Sequence, residues 1–149
     1  MLIGELCNRD VTYCNAKTSV LEAAQLMRNY HVGDLVVVDE PNGERLPVGI
    51  VTDRDLVVEV MAKEVDPASV TVYDIMTPKL STATEAEGVY ETIERMRRDG
   101  VRRMPVVNGL GGLVGIIAVD DLTGYLAEEL HELSRVSTSQ EIREKRDRR

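Results

Sequence analysis

Phenylalanine and tryptophan are absent from the 149 residues, and five tyrosines are the only aromatic side chains. A chain so poor in aromatics offers no stacking platform for single-stranded nucleic acid. Cationic surface is also scarce: the formal net charge is −8, residues 1–69 and 70–138 are both acidic, and only the tail from Ser139 onward is net basic. Duplex binding needs a broad positive face toward phosphates, so nucleic acid is an unlikely partner. The two cysteines, Cys7 and Cys14, match neither zinc-ligand nor CxxC spacing and read as packing residues. No window approaches the roughly 18 apolar residues of a membrane span. The start, MLIGELCNRD, has no basic stretch leading into an apolar one, so a cytoplasmic, soluble protein with no membrane association is expected. Paired carboxylates beside a base, Ser/His/Asp or Cys/His sets and metal-ligand spacings are all missing, which points away from an enzyme. What remains is 43% hydrophobic residues, enough to bury the core of one ordinary domain or two very small ones.

The clearest positive signal is a repeat. GIVTDRDL, residues 49–56, returns as GIIAVDDL, residues 115–122. Placing Met27 on Met96 also aligns Val20, Glu22, Arg28, Val32, Val37 and Val38 with Val89, Glu91, Arg97, Val101, Val106 and Val107. A shorter loop at Gly109–Gly112 than at Glu40–Pro47 accounts for the change of register between the two matches. The chain is therefore two copies of one unit of about sixty residues. Each copy predicts a β-α-β-β-α order. In the first helix, Ser19 with Glu22 forms a capping-box pattern ahead of Val20, Ala23, Ala24, Met27 and Tyr30. Thr84 with Glu87 is the corresponding candidate cap ahead of Val89, Ile93 and Met96. The runs at 35–38, 48–51, 105–107 and 114–117 are short and β-branched, as strands are, and a second helix starts near Asp53 and near Val119. One copy cannot cover both its sheet and its helices, so the two should pack about a pseudo-two-fold axis and form two related clefts.

These motifs resemble the CBS domain family, and the pair is similar to a tandem CBS, or Bateman, module. The resemblance rests on the helix-Met-x4-Val-strand pattern of Met27–Val38 and Met96–Val107, on DIMTP at Asp74–Pro78, and on the G-h-h-T-x-x-D pattern of GIVTDRDL. It extends over residues 1 to about 131. It implies an α/β (α+β) fold with a first repeat at 1–69, a second at 70–133 and a charged tail at 134–149, helical or disordered. It also implies a non-catalytic sensor of an adenosine-containing ligand, namely AMP, ADP, ATP or S-adenosylmethionine, with no obligatory cofactor. Such modules commonly form homodimers and act on an effector protein, whose identity is not encoded here. Transferred by position, Asp55 would hold ribose hydroxyls and Thr52 would contact ribose or phosphate. Across the cleft would stand Val101, Arg102 and Arg103 of the second copy, with Leu80. A second, weaker cleft would use Asp121, Gly33 and Val11.

The chemistry of these residue types agrees. A carboxylate can accept hydrogen bonds from both hydroxyls of a ribose diol, a helix N-terminus favours phosphate, and each arginine adds a forked cationic donor. A second role for the same residues stays open: T-x-x-D ahead of an apolar helix is a capping pattern whether or not a ligand binds. Arg95, Arg97 and Arg98 read as a solvated helix face, whereas Arg102 and Arg103 follow Gly100, where the helix should end. The second copy replaces Thr52 by Ala118 and sets Asp34 where the first cleft has Arg103. One phosphate-competent cleft is thus expected, and one that is empty or takes an uncharged or cationic adenosine ligand. His31 reads as a helix C-terminal residue and His131 as solvent-facing. A regulatory binding module leads, and a structural interaction module without a ligand is the alternative.

Overall fold

The computed structural model describes residues 1–148 and shows two units built alike. The first contains α1 (Ile3–Leu6), β1 (Tyr13–Asn15), α2 (Val20–Tyr30), β2 (Asp34–Asp39), β3 (Leu46–Thr52) and α3 (Asp53–Leu56), which runs on as a π-helical turn, Val57–Met61. The second contains α4 (Val72–Ile75), β4 (Ala83–Thr84), α5 (Val89–Asp99), β5 (Arg103–Val107), β6 (Leu113–Ala118) and α6 (Val119–Asp147). Each sheet has three strands, the first two parallel and the last two antiparallel, in the orders β1-β2-β3 and β4-β5-β6. The mixed α+β architecture and the internal repeat are as expected. The short leading helices α1 and α4 are additions to the expected β-α-β-β-α order; four residues are too few to show a helical period.

Local chemistry explains most boundaries. Ser19 caps α2, its hydroxyl accepting from the Glu22 N–H at 3.1 Å, and the helix buries Val20, Ala23 and Met27. The helix stops at His31, which adopts the left-handed conformation (φ 53°) and donates its N–H to the Met27 carbonyl. Gly100 does the same after α5 with φ 66°, so the second copy uses the residue that bears this conformation without a Cβ penalty. The expected cap at Thr84 is not formed. Thr84 is held in β4 opposite Val107, and Gly88 is the N-cap of α5. Glu87, its proposed box partner, instead grips Arg95 Nη1 through both carboxylate oxygens at 2.7 and 2.9 Å.

The two units exchange their leading segments. The Ile3 and Gly4 N–H groups donate to Glu87 and Glu85 carbonyls, each at 2.9 Å, beside the second sheet. The equivalent Val72 and Tyr73 N–H groups donate to Thr18 and Ala16 at 2.9 and 3.3 Å, beside the first. Asn8 pairs with Ile116 of β6, and Thr77 pairs with Ile50 of β3. The side chains follow the backbone. Ile3 is fully buried among Ala83, Met96, Met104, Val106, Ile117 and Leu122 of the second unit. Val72 is fully buried among Cys14, Ala23, Met27, Leu35, Val37 and Val51 of the first. The repeat boundary read from the sequence therefore runs through the packing, since each core is closed by the other copy's leader.

This crossing explains the glycine that opens both octapeptides. A Cβ on Gly49 would lie 2.6 Å from Met76 Sδ, and one on Gly115 would lie 2.6 Å from Cys7 Sγ and 3.0 Å from the Asn8 carbonyl. Cys7 and Cys14 are both free thiols, as their spacing implies. Burial in the first core pushes the Cys14 thiol up to about 11. The tail expected to be helical or disordered is the end of α6, a continuous helix of 29 residues.

Two measurements test these assignments. Ile3→Ala should cost about 2–5 kcal/mol in urea unfolding, the range for a fully buried aliphatic side chain, although Ile3 stands near the chain's start. His31→Gly should stabilise by about 1 kcal/mol, by relieving a left-handed non-glycine residue.

A candidate inter-repeat ligand cleft

Where β3 runs into α3, the chain faces the leader of the second copy and the segment between α5 and β5. A cavity of about 350 Å³ opens between them. The first copy contributes Ile50, Thr52, Asp53 and Arg54; the leader adds Thr77, Lys79, Leu80 and Ser81; Val101, Arg102 and Arg103 close the far side. Of the residues expected at this cleft, Thr52, Leu80, Val101, Arg102 and Arg103 come together in its wall. Asp55 does not line it. Its Oδ2 accepts the Thr52 N–H at 2.9 Å while the Thr52 hydroxyl accepts the Asp55 N–H at 3.1 Å, a complete capping box. Only Oδ1 of Asp55 is left without a hydrogen bond to the protein.

The wall carries four cations, Arg54, Lys79, Arg102 and Arg103, and one carboxylate, Asp53, whose Oδ1 accepts the Arg54 N–H at 2.8 Å. Arg54 and Lys79 form no ion pair among the described residues, and the nearest carboxylate to Arg102 is exposed Asp120 at 3.9 Å, a separation that contributes little through water. Arg103 differs: its Nη1 lies 3.3 Å from Asp34 Oδ2. That carboxylate oxygen is buried and accepts no hydrogen bond, so the pairing is electrostatic and lacks hydrogen-bond geometry. Asp34 and Arg103 occupy equivalent places, opposite Thr52 and Ala118 in their hairpins, so the pair sits near the pseudo-two-fold axis. The other arginines have structural duties. Arg95 is held by Glu87 and by the Thr82 carbonyl, and Arg98 lies 3.3 Å from Asp99. The Ser81 hydroxyl, followed by Arg98, holds the Asp99 carboxyl below its usual range.

Sequence reasoning missed Ile50, Asp53, Arg54, Thr77, Lys79 and Ser81. Lys79 and Ser81 flank Leu80 directly after DIMTP, but only the leader exchange carries Thr77–Ser81 to the end of β3.

The second cleft departs further from expectation. Asp121 Oδ2 accepts the Ala118 N–H at 2.9 Å, half a box, because alanine has no hydroxyl to return. Gly33 lines a shallow cavity with Met27, Arg28, Asn29, His31, Val32 and Asp53, not with Asp121 and Val11. The backbone is the same in both copies, since the Gly33 carbonyl accepts the Asp53 N–H at 2.9 Å and the Arg102 carbonyl the Val119 N–H at 2.8 Å; what differs is that glycine has no side chain to present where Arg102 lines the first cleft. The charges are also inverted. By the register of the repeat, Lys79, Arg54 and Arg103 of the first cleft correspond to Asp10, Asp120 and Asp34. Among the described residues, no group of three or more His, Cys, Asp or Glu side chains is placed to hold a metal ion.

A family model for the CBS domain matches residues 3–62 and again 72–128. The chain belongs to the CBS domain family, as a tandem pair. It is similar to the uncharacterized protein YlbB of Bacillus subtilis, 40% identical over 130 residues, covering 87% of this chain and 84% of that protein. It is also similar to the uncharacterized protein MK0525 of Methanopyrus kandleri, 35% identical over 120 residues. That match covers 80% of this chain but only 60% of the archaeal protein, so the chain spans less than two thirds of that relative. Among solved structures, the CBS domain pair of protein MJ0100 superposes with a TM-score of 0.73 at 25% identity, covering 87% of this chain and 98% of that one. That pair is in complex with 5′-methylthioadenosine and S-adenosyl-L-methionine. No helix among the described residues is long and apolar enough to cross a membrane.

The capping role has its own readout. Thr52→Ala should lower stability by about 1 kcal/mol in urea titration, and Thr52→Ser should recover most of it.

Proposed function

We propose that the chain is a non-catalytic regulatory module whose first cleft binds a phosphate-bearing adenosine nucleotide, AMP, ADP or ATP. The observation that carries this reading is the charge of the wall: Arg54, Lys79, Arg102 and Arg103 outnumber the one carboxylate, Asp53, around a cavity of an otherwise acidic protein. Guanidinium groups suit phosphate because their donors are forked and permanently charged. The free Oδ1 of Asp55 can accept ribose hydroxyls without giving up its cap, so capping and binding are compatible. Thr52 lines the cavity and supplies the hydroxyl toward ribose or phosphate.

The second cleft, with Asp10, Asp34 and Asp120 at the corresponding places, repels phosphate. It is empty or takes an uncharged or cationic adenosine compound. 5′-Methylthioadenosine and S-adenosylmethionine, bound by the MJ0100 pair, are of that kind. Ligand binding alters how the module meets a second copy in a homodimer and an effector protein in the cytoplasm. The alternative, a structural module that binds nothing, draws support from one feature: Thr52 and Asp55 already satisfy each other.

Melting curves with AMP, ADP, ATP, S-adenosylmethionine, 5′-methylthioadenosine and guanosine nucleotides distinguish the readings. A ligand at a hundredfold its Kd should stabilise the fold by about 2.7 kcal/mol. Arg103→Gln should abolish the response to the phosphorylated compounds. Asp34→Asn should tighten their binding roughly tenfold, because it removes a negative charge beside Arg103. A flat panel from ligand-free protein would establish the structural module instead.

A further inference from the structure

From Leu126 to Arg143 every residue of α6 is exposed, although the helix continues unbroken to Asp147. Its first two turns belong to the fold. Val119 packs on the second core, Leu122 is buried, and Leu126 borders a groove shared with Ile93, Met96 and Val101. Beyond that point the helix carries Leu130, Leu133 and Val136 into solvent, 68%, 67% and 60% exposed. A helix projecting for about 30 Å has no packing to support it, and pairs such as Lys145–Glu141 are worth only a few tenths of a kcal/mol.

We propose that this part of α6 pairs antiparallel with α6 of a second copy of the chain. Val119, Leu126, Leu133 and Gln140, with Leu122, Glu129, Val136 and Arg143, occupy the two seam positions of a heptad repeat. Leu130 widens the stripe. The polar seam residues decide the direction. Glu129 stands toward the proximal end of the exposed seam and Arg143 at its distal end; off the seam, Glu128 and Glu132 lie in the proximal half, while the distal half mixes Lys145 and Arg146 with Glu141, Glu144 and Asp147. A parallel pair would set Glu129 against Glu129 and Arg143 against Arg143. In the antiparallel pair, Leu133 faces Val136 of the second copy, and Glu129 faces its Gln140 and adjoins its Arg143 at each end of the seam. Opposite charges then flank an apolar centre. The arrangement rests on the homodimer reading above and assigns the contact to α6 rather than to the faces of the two repeats.

The test is the mass of the full chain by light scattering beside that of Leu130→Glu/Leu133→Glu. Both substitutions lie on exposed positions, and an unchanged melting temperature of the nucleotide-binding body reports that the fold is kept. The expected result is a dimer for the parent chain and at least a tenfold weaker association for the variant. Mixing Leu126→Cys chains with Arg143→Cys chains under mild oxidation should yield the mixed cross-linked dimer. A variant that stays dimeric would overturn the assignment to α6 while leaving a homodimer standing. A monomeric parent chain would overturn both. Cross-linking of Leu126→Cys to itself in place of the mixed product would show parallel helices and overturn the proposed pairing.

Discussion

The exchange of leading segments holds this molecule together. Each three-stranded sheet is too small to close its own core, and Ile3 and Val72 supply the missing wall from the other copy. The crossing leaders pass so close to β3 and β6 that a Cβ at 49 would press on Met76 Sδ, and one at 115 on Cys7 Sγ and the Asn8 carbonyl. The exchange also carries Thr77–Ser81 to the end of β3, which makes the wall of the cleft. Core closure and site construction are thus one event, and a substitution in a leader acts on both.

A two-fold arrangement of similar units should give two similar clefts, yet these differ in sign. The backbone repeats faithfully: the Gly33 carbonyl accepts from Asp53 as the Arg102 carbonyl accepts from Val119, at 2.9 and 2.8 Å. Side chains at equivalent places diverge, with cations in the first cleft and carboxylates in the second. The scaffold supplies position and a handful of surface residues set the charge at each place, so duplication yields equivalent positions of opposite sign. Arg103 and Asp34 meet near the axis, which places the electrostatics of the two clefts in contact.

The copies also part company after their last strand. In the first, α3 lasts one turn and gives way to a π-helical turn ending at Met61, whereas α6 runs 29 residues. Both begin at the same capping position, so the start is set by the shared motif. The length is set by the downstream residues: Pro67 lies in the connection to the second copy, and the alternating charges after Leu126 favour continued helix.

The repeat, the helix–strand order of the longer elements and the helix ends at His31 and Gly100 were all legible in the sequence alone. Those features are local or are written twice, and periodicity and turn chemistry act over a few residues. The grouping of Thr52, Val101, Arg102 and Arg103 at one cleft came instead from the resemblance to the CBS family. The remainder came from tertiary packing. It withdrew Thr84 from its cap by pairing it in a strand, engaged Glu87 with Arg95, and moved Lys79 and Arg54 into the wall. Each of these depends on which distant segment lies alongside, and here that segment comes from the other copy. Sequence similarity between the copies reveals that they are related, but it does not reveal that they trade leaders, because the same residues would be apolar whichever core they filled.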